Sequence, residues 1–152
     1  MEIKLLAQIT LDGYIARSDG KRDWYLNPAI YGIDDFLKNA SALIDYENEK
    51  YKIEMKTGEI FIHDNLDFLS EIKEISGYVA IEANIHNASL ITALITRCMI
   101  TELHLIYIPV CLGTGVSLFK SPDNKSEWQL LKMKQIDNSI NVWYTCRRIR
   151  HH

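Results

Sequence analysis

Residues 84–90 read Asn-Ile-His-Asn-Ala-Ser-Leu and stand where an apolar run gives way to an amphipathic one. A strand-to-helix turn of this kind is where a phosphate settles, because the first amides of a helix point outward unpaired at the positive end of the helix dipole. The residue types could serve that chemistry. Asn87 tolerates a left-handed backbone, Ser89 can donate a hydrogen bond, and His86 can meet an anion. What the turn lacks is a glycine, the residue that lets a backbone come close to a phosphate. His86 therefore has two readings: a phosphate-binding substitute, or a side chain filling the groove that glycines would leave open. The second is the plainer.

Other residues with chemical potential are scattered. Gly113-Thr114-Gly115 follows the apolar run LHLIYIPV (103–110), and Asp12-Gly13 closes the first apolar run. An aspartate at such a place forms a turn more often than it acts as an acid. Trp24 is either a lid over a ligand or an ordinary half-buried aromatic. Asp34 and Asp35 fall in the first turn of a short helix, where a carboxylate suits the dipole and capping is the plainer role for Asp34. Cys98, Cys111 and Cys146 are an odd, widely spaced set without a C-x-x-C pair, so neither a metal site nor a disulfide framework is expected. Buried free thiols in a reducing, cytoplasmic setting are the default reading. No nucleophile-and-base triad is visible.

The elements that must position these residues follow from the pattern. EIKLLAQIT (2–10) reads as a buried strand, 14–28 as loop with turns at Asp19-Gly20 and Asn27-Pro28, and Ile33 to Asn39 as a short helix. ALID (42–45) is a strand, Tyr46 to Thr57 is weakly helical, and EIFIH (59–63) is an alternating strand. Leu66, Leu69, Ile72 and Ile75 make an amphipathic helix of 65–76, ended by Gly77. Tyr78 to Ala83 is a strand, and Asn87 to Met99 a helix facing the core with Leu90, Ile91, Leu94 and Ile95. LHLIYIPV is a central strand covered on both faces. Residues 127–135 and 140–148 form a terminal hairpin around Asp137-Asn138-Ser139. Strands alternating with helices and closed by a hairpin predict an α/β fold, with a mixed, mostly parallel sheet between helical layers.

Length and composition agree with one domain over residues 1–150. The chain has 152 residues, 47% hydrophobic and 24% charged. A net charge of -3 gives no reason to expect nucleic acid. The one basic cluster, Arg147-Arg148-Ile149-Arg150, reads as a solvated terminus, and His151-His152 as a tag remnant. No stretch approaches membrane-span length.

Two stretches carry more than a generic pattern. Thr10-Leu11-Asp12-Gly13-Tyr14-Ile15-Ala16, with Asp23-Trp24 after it, resembles the opening of the dihydrofolate-reductase-like superfamily. Its nearest likeness there is to stand-alone relatives of the reductase domain of bacterial riboflavin synthesis. Met99 to Phe119 (MITELHLIYIPVCLGTGVSLF) is similar to that family's second hallmark. The resemblance implies a three-layer α/β/α fold with a C-terminal antiparallel hairpin, commonly dimeric. It also implies an NADPH-dependent reductase of a pteridine, pyrimidine or related imine. Its cofactor contacts would fall on Gln8, Ile15, His86, Asn87, Ser89, Gly113, Thr114 and Gly115. Asp35 and Trp24 would be its catalytic residues, facing the small-molecule substrate.

Set against the family's motifs, this chain departs where the cofactor's phosphates bind. The Gly-Gly turn falls on His86-Asn87, Gly-Arg-x-Thr on Tyr46-Glu47-Asn48-Glu49, and a Thr-Arg pair on His63-Asp64. A glutamate in place of an arginine would repel a phosphate. Gln8 replaces a small residue beneath the nicotinamide, where it either bonds the carboxamide or occupies its space. The expectation is that NADPH binding is weak or lost, leaving either a reductase by descent or a non-catalytic homologue with a small-ligand pocket.

Overall fold

The structure, a computed structural model, describes residues 2–27, 33–119 and 125–147, with only the backbone of residues 33 and 34. Glu2–Thr10 forms β1, and all but Glu2 and Lys4 are buried, as suits a strand covered on both faces. It lies at the centre of an eight-stranded sheet ordered β5-β4-β3-β6-β1-β7-β10-β9. The inner strands β3 (Ala42–Glu47), β6 (Tyr78–Glu82), β1 and β7 (Ile100–Ile108) run parallel. Hairpins extend the sheet antiparallel on both sides, with β4 (Lys50–Met55) and β5 (Ile60–His63) at one edge. At the other edge lie β10 (Ser139–Arg147) and β9 (Glu127–Ile136).

Alternation along β1 divides the core. Ile3, Leu5, Ala7 and Ile9 face α2 (Leu69–Ile72) and α3 (Ala88–Thr96), while Leu6 joins Ile106 and Ile108 beneath Trp24, Leu26 and the Phe36-Leu37 pair of α1 (Ile33–Lys38). Three layers result, with helices on both sides of the sheet. A helix of nine residues is too short to hold itself in water. What keeps α3 in place is the burial of Leu90, Ile91, Leu94 and Ile95, each worth about 1.5–3 kcal/mol when fully removed from water. On the α1 face, His104 stacks on Trp143 with ring centroids 4.3 Å apart. Burial holds its imidazole to about 4, well below the ordinary histidine range, the neighbouring Asn141 amide pulling the other way.

Four expectations change. Tyr46 to Thr57 is not helical: Asn48 and Glu49, both at positive φ (52° and 62°), make a two-residue turn that sends β4 back along β3. Within 14–28, Tyr14–Ala16 is a strand, β2, paired with β8 (Val116–Ser117). The 65–76 helix shrinks to a 3-10 turn at Leu66–Phe68, capped by Asn65, and the single turn of α2. None of the free thiols is buried: Cys98 and Cys111 are exposed and Cys146 is half-buried. Pro28, Arg148 to Arg150 and the two final histidines lie outside the described residues. Among those described, no helix is long and apolar enough to cross a membrane.

Candidate functional site

The four parallel strands direct their carboxyl ends to one edge, where the loops leaving β1, β3, β6 and β7 gather. In open α/β sheets ligands bind at this edge. Two differently built halves meet here.

The first half joins the end of β1 to the glycine loop. Thr10 Oγ1 donates to Asp12 Oδ1 at 2.7 Å and accepts from the Tyr14 amide at 3.0 Å. The Asp12 carboxylate then accepts the amides of Leu112 (3.1 Å) and Gly113 (2.8 Å), and the Tyr14 hydroxyl donates to the Gly113 carbonyl at 3.2 Å. The Thr10 hydroxyl, followed by the Gly113 amide, holds Asp12 below the usual carboxylate range. Asp12 is thus an ionised tie between two loops, the turn-forming role, and not a proton donor near neutrality. The glycines differ in purpose. Gly113 sits at φ +78° with open space around it, whereas a Cβ on Gly115 would lie 2.5 Å from the Ala16 carbonyl, so only glycine lets β8 pass β2. Gly113 and Thr114 are exposed on the rim. Ile15 corrects its assignment: its side chain is wholly buried in the core, leaving only backbone for a cofactor.

The second half covers the ends of β1 and β6 with residues 17–27. Gln8 is buried, and its amide grips the loop from both sides, Nε2 donating to the Leu26 carbonyl at 3.1 Å and Oε1 accepting the Leu26 amide at 2.8 Å. Both of its polar atoms are engaged by the chain itself, so neither is free in this structure to bond a carboxamide. The Tyr25 hydroxyl donates to the Glu82 carboxylate, and Arg22 Nη1 donates to the Ala83 carbonyl at 3.3 Å with its guanidinium 4.2 Å over the Tyr25 ring. Burial, then Glu82, pushes the Tyr25 phenol well above its ordinary range. Trp24 packs on Leu6, Ile106 and Ile108 as an ordinary half-buried aromatic. Asp35 is exposed on α1 while Phe36 and Leu37 turn inward, so the carboxylate does not face the cleft floor. For Asp34 only the backbone is described.

Beside this loop, the turn before α3 is tied into a polar knot. Asn87 is fully buried: Oδ1 accepts the Asn84 amide at 2.8 Å, while Nδ2 donates to Asp45 Oδ1 (2.9 Å) and to the Glu82 carbonyl (2.8 Å). Asn84 Oδ1 in turn accepts the amides of His86 (2.8 Å) and Asn87 (2.9 Å). The backbone of Asn87 stays at φ -105°, so the left-handed conformation its residue type allows is not used, and its side chain caps none of the helical amides. His86 and Ser89 are exposed; the histidine neither fills a groove nor meets a partner side chain. The stretch Tyr46-Glu47-Asn48-Glu49 is the β3–β4 turn. At His63-Asp64, the Asp64 carboxylate pairs with the Lys50 ammonium, and His63 stacks on Phe68 with its Nε2 3.2 Å from Glu71, off hydrogen-bond geometry.

Sequence reasoning missed Arg22, Tyr25, Asp45, Glu82 and Asn84, the residues that build this half. Their signal was weak: polar residues beyond apolar strands, with partners 39 to 61 positions away. Arg22, Asp45, Glu82 and Asn84, with Lys52, Glu54 and Leu37, line a cavity of about 220 Å³ on the α1 side. That lies below the roughly 300 Å³ at which ordinary ligand pockets begin.

No family model matches this chain. The uncharacterized protein YyaP of Bacillus subtilis (strain 168) is 27% identical to it, over 87% of each chain. Among solved structures, a putative riboflavin biosynthesis protein from Shewanella sp. PV-4 superposes with a TM-score of 0.71 at 18% identity, covering 97% of this chain and all of the other. Dihydrofolate reductase from Enterococcus faecalis, complexed with NADP(H) and RAB-propyl, gives 0.64 at 14% identity and covers 97% of both.

Proposed function

From the premise that this chain has the dihydrofolate-reductase-like fold, with riboflavin-biosynthesis reductases among its structural relatives, we propose a homologue that no longer uses NADPH in the reductases' manner. It keeps a cleft for a small ligand. The observation that carries this reading is the Gln8–Leu26 pairing: it draws residues 17–27 across the ends of β1 and β6, where a nicotinamide would lie beside a flat substrate. The spent side chain of Asn87 and the acidic β3–β4 turn support it from the phosphate side. A ligand of about one ring, offering N–H groups to Glu82 and Asp45, suits the 220 Å³ cavity better than a dinucleotide.

The reductase reading keeps one argument, the intact tie between Asp12 and the Gly113–Gly115 loop. Titration with NADPH, followed by tryptophan emission, separates the two. No saturation is expected up to millimolar cofactor. Saturable binding in the micromolar range would overturn the proposal and return the chain to the NADPH-dependent reductases, with imine substrates as the next screen.

A further inference from the structure

Two of the three cysteines line one cavity, although 48 positions separate Cys98 from Cys146 in the chain. The space, about 500 Å³, has Ile95 from the end of α3, Thr101 from the start of β7 and Trp128 of β9 in its walls beside the two thiols. The strand register explains the meeting. Thr145 stands opposite Glu102, and its hydroxyl donates to the Thr101 carbonyl at 3.4 Å, so Cys146 comes level with Thr101. Cross-strand partners share a face, which puts Cys146 with Leu103 and Tyr144 on the side of the sheet that α3 covers. Cys98 stands three residues before Thr101, a reach of at most about 10 Å, in the turn that leads from α3 into β7.

Cys98 also holds a conformation that few side chains take. Its φ is +56°, the left-handed position after a helix that glycine or asparagine usually fills, and its amide donates to the Ile95 carbonyl at 2.9 Å. Cys98 is exposed, while Cys146 is half-buried and makes only a long contact, 3.7 Å, from its Sγ to the Arg147 carbonyl. Burial, then the Cys98 thiol, raises the Cys146 pKa above the ordinary thiol range. Cys111 is exposed too, but it follows the opposite end of the nine-residue β7.

We propose that Cys98 and Cys146 form a reversible disulfide across this cavity, a redox-sensitive brace that fastens the end of α3 to β10. The oxidant is a small disulfide such as oxidised glutathione. The exposed Cys98 thiolate attacks one of its sulfurs, breaking that S–S bond, forming a mixed disulfide and releasing one glutathione thiolate. The Cys146 thiolate then attacks the Cys98 sulfur and displaces the second. Two protein thiols are oxidised to one disulfide, one small disulfide is reduced to two thiols, and the protons lost by the cysteines go to the two leaving thiolates. Access sets the order, because the half-buried Cys146 is the poorer first nucleophile. A disulfide sets its Cα atoms about 4.4–6.8 Å apart, and the adjustment this needs falls on the turn at residues 97–99.

Mass spectrometry of the full chain, equilibrated with about 1 mM oxidised glutathione and quenched in acid, tests this. One glutathione is expected, on Cys111, with the remaining chain about 2 Da lighter and the peptides of Cys98 and Cys146 joined. The oxidised chain should melt about 8 °C above the reduced one, because the bond closes a loop of about 50 residues in the unfolded state. Dithiothreitol should restore both the mass and the melting temperature. In Cys146→Ser, Cys98 should carry glutathione; in Cys98→Ser, Cys146 should acquire it at least about tenfold more slowly. Circular dichroism checks that both variants fold. Glutathione on all three cysteines of the wild type would overturn the proposal. So would a bond through Cys111, a bond formed only between molecules, or an oxidised chain that melts no higher than the reduced one.

Discussion

The glycine-loop rim and the turn before α3 stand on the same edge of the same sheet, and both are hydrogen-bonded networks around one aspartate. They differ in what those bonds leave over. At the rim, Asp12 uses its carboxylate to hold Leu112 and Gly113, and the loop it fixes remains exposed. At the turn, Asp45, Asn84 and Asn87 satisfy one another, and the polar atoms of Asn87 are buried with no capacity left for a ligand. A residue type at a motif position therefore says little by itself. What decides its availability is whether its donors and acceptors are already taken.

This contrast breaks most sharply at Asn87. Removing its side chain takes one partner each from the half-buried Asp45 carboxylate, Glu82 carbonyl and Asn84 amide, so Asn87→Ala should cost about 3 kcal/mol. Exposed His86, its neighbour, should lose no more than about 0.5 kcal/mol on replacement by alanine. Thermal unfolding of the two variants measures both. Equal costs would mean that the knot is not what holds the turn, and a larger loss at His86 would reverse the assignment.

The rim sharpens next, through its two glycines. Gly115→Ala must push a methyl group against the Ala16 carbonyl, which should cost about 2 kcal/mol and separate β8 from β2. Gly113→Ala meets no neighbour and pays only for a left-handed backbone, about 1 kcal/mol. Chemical denaturation should show that ordering. The opposite order would place the strain of the loop in its backbone instead of in its contact with β2.

How much of this was legible in the sequence depends on how local each feature is. The strand β1, the helix α3 and the terminal hairpin show their period and their turn residues directly, and the structure keeps β1 and the hairpin nearly to the residue while ending α3 at Thr96 instead of Met99. The β4 strand was misread as helix, although Lys-Tyr-Lys-Ile-Glu-Met alternates and buries Ile53 on the apolar side. Its lysines and glutamates favour helix, and Asn48-Glu49 lacks the glycine that usually marks such a turn. Strands of two or three residues, β2 and β8, carry no period at all. Phe68 is fully buried but stands outside the Leu66, Leu69, Ile72 stripe because the chain is a 3-10 turn there. At the site, the departures at His86-Asn87 and at Tyr46 to Glu49 could be seen from the motif. The grip of Gln8 on Leu26 could not, because nothing in a glutamine announces a partner 18 positions away.

The smallest effect is the pH dependence of the rim, and it separates an ionised tie from a neutral one. In the folded chain the Thr10 hydroxyl and the Gly113 amide lower the pKa of Asp12 below the unfolded value of about 3.9. A group with a lower folded value contributes its stability in full above the unfolded one and loses it as pH falls through the folded one. The gap in melting temperature between wild type and Asp12→Asn should therefore hold steady from pH 7 to 5 and close below pH 4. His104 also destabilises the fold in acid, since it is held near 4 against about 6.5 when unfolded. It is present in both chains, however, and cancels from the difference. A gap that stays constant down to pH 2.5 would show that Asp12 holds the loop by shape alone, and that the two aspartate networks differ less than their hydrogen bonds indicate.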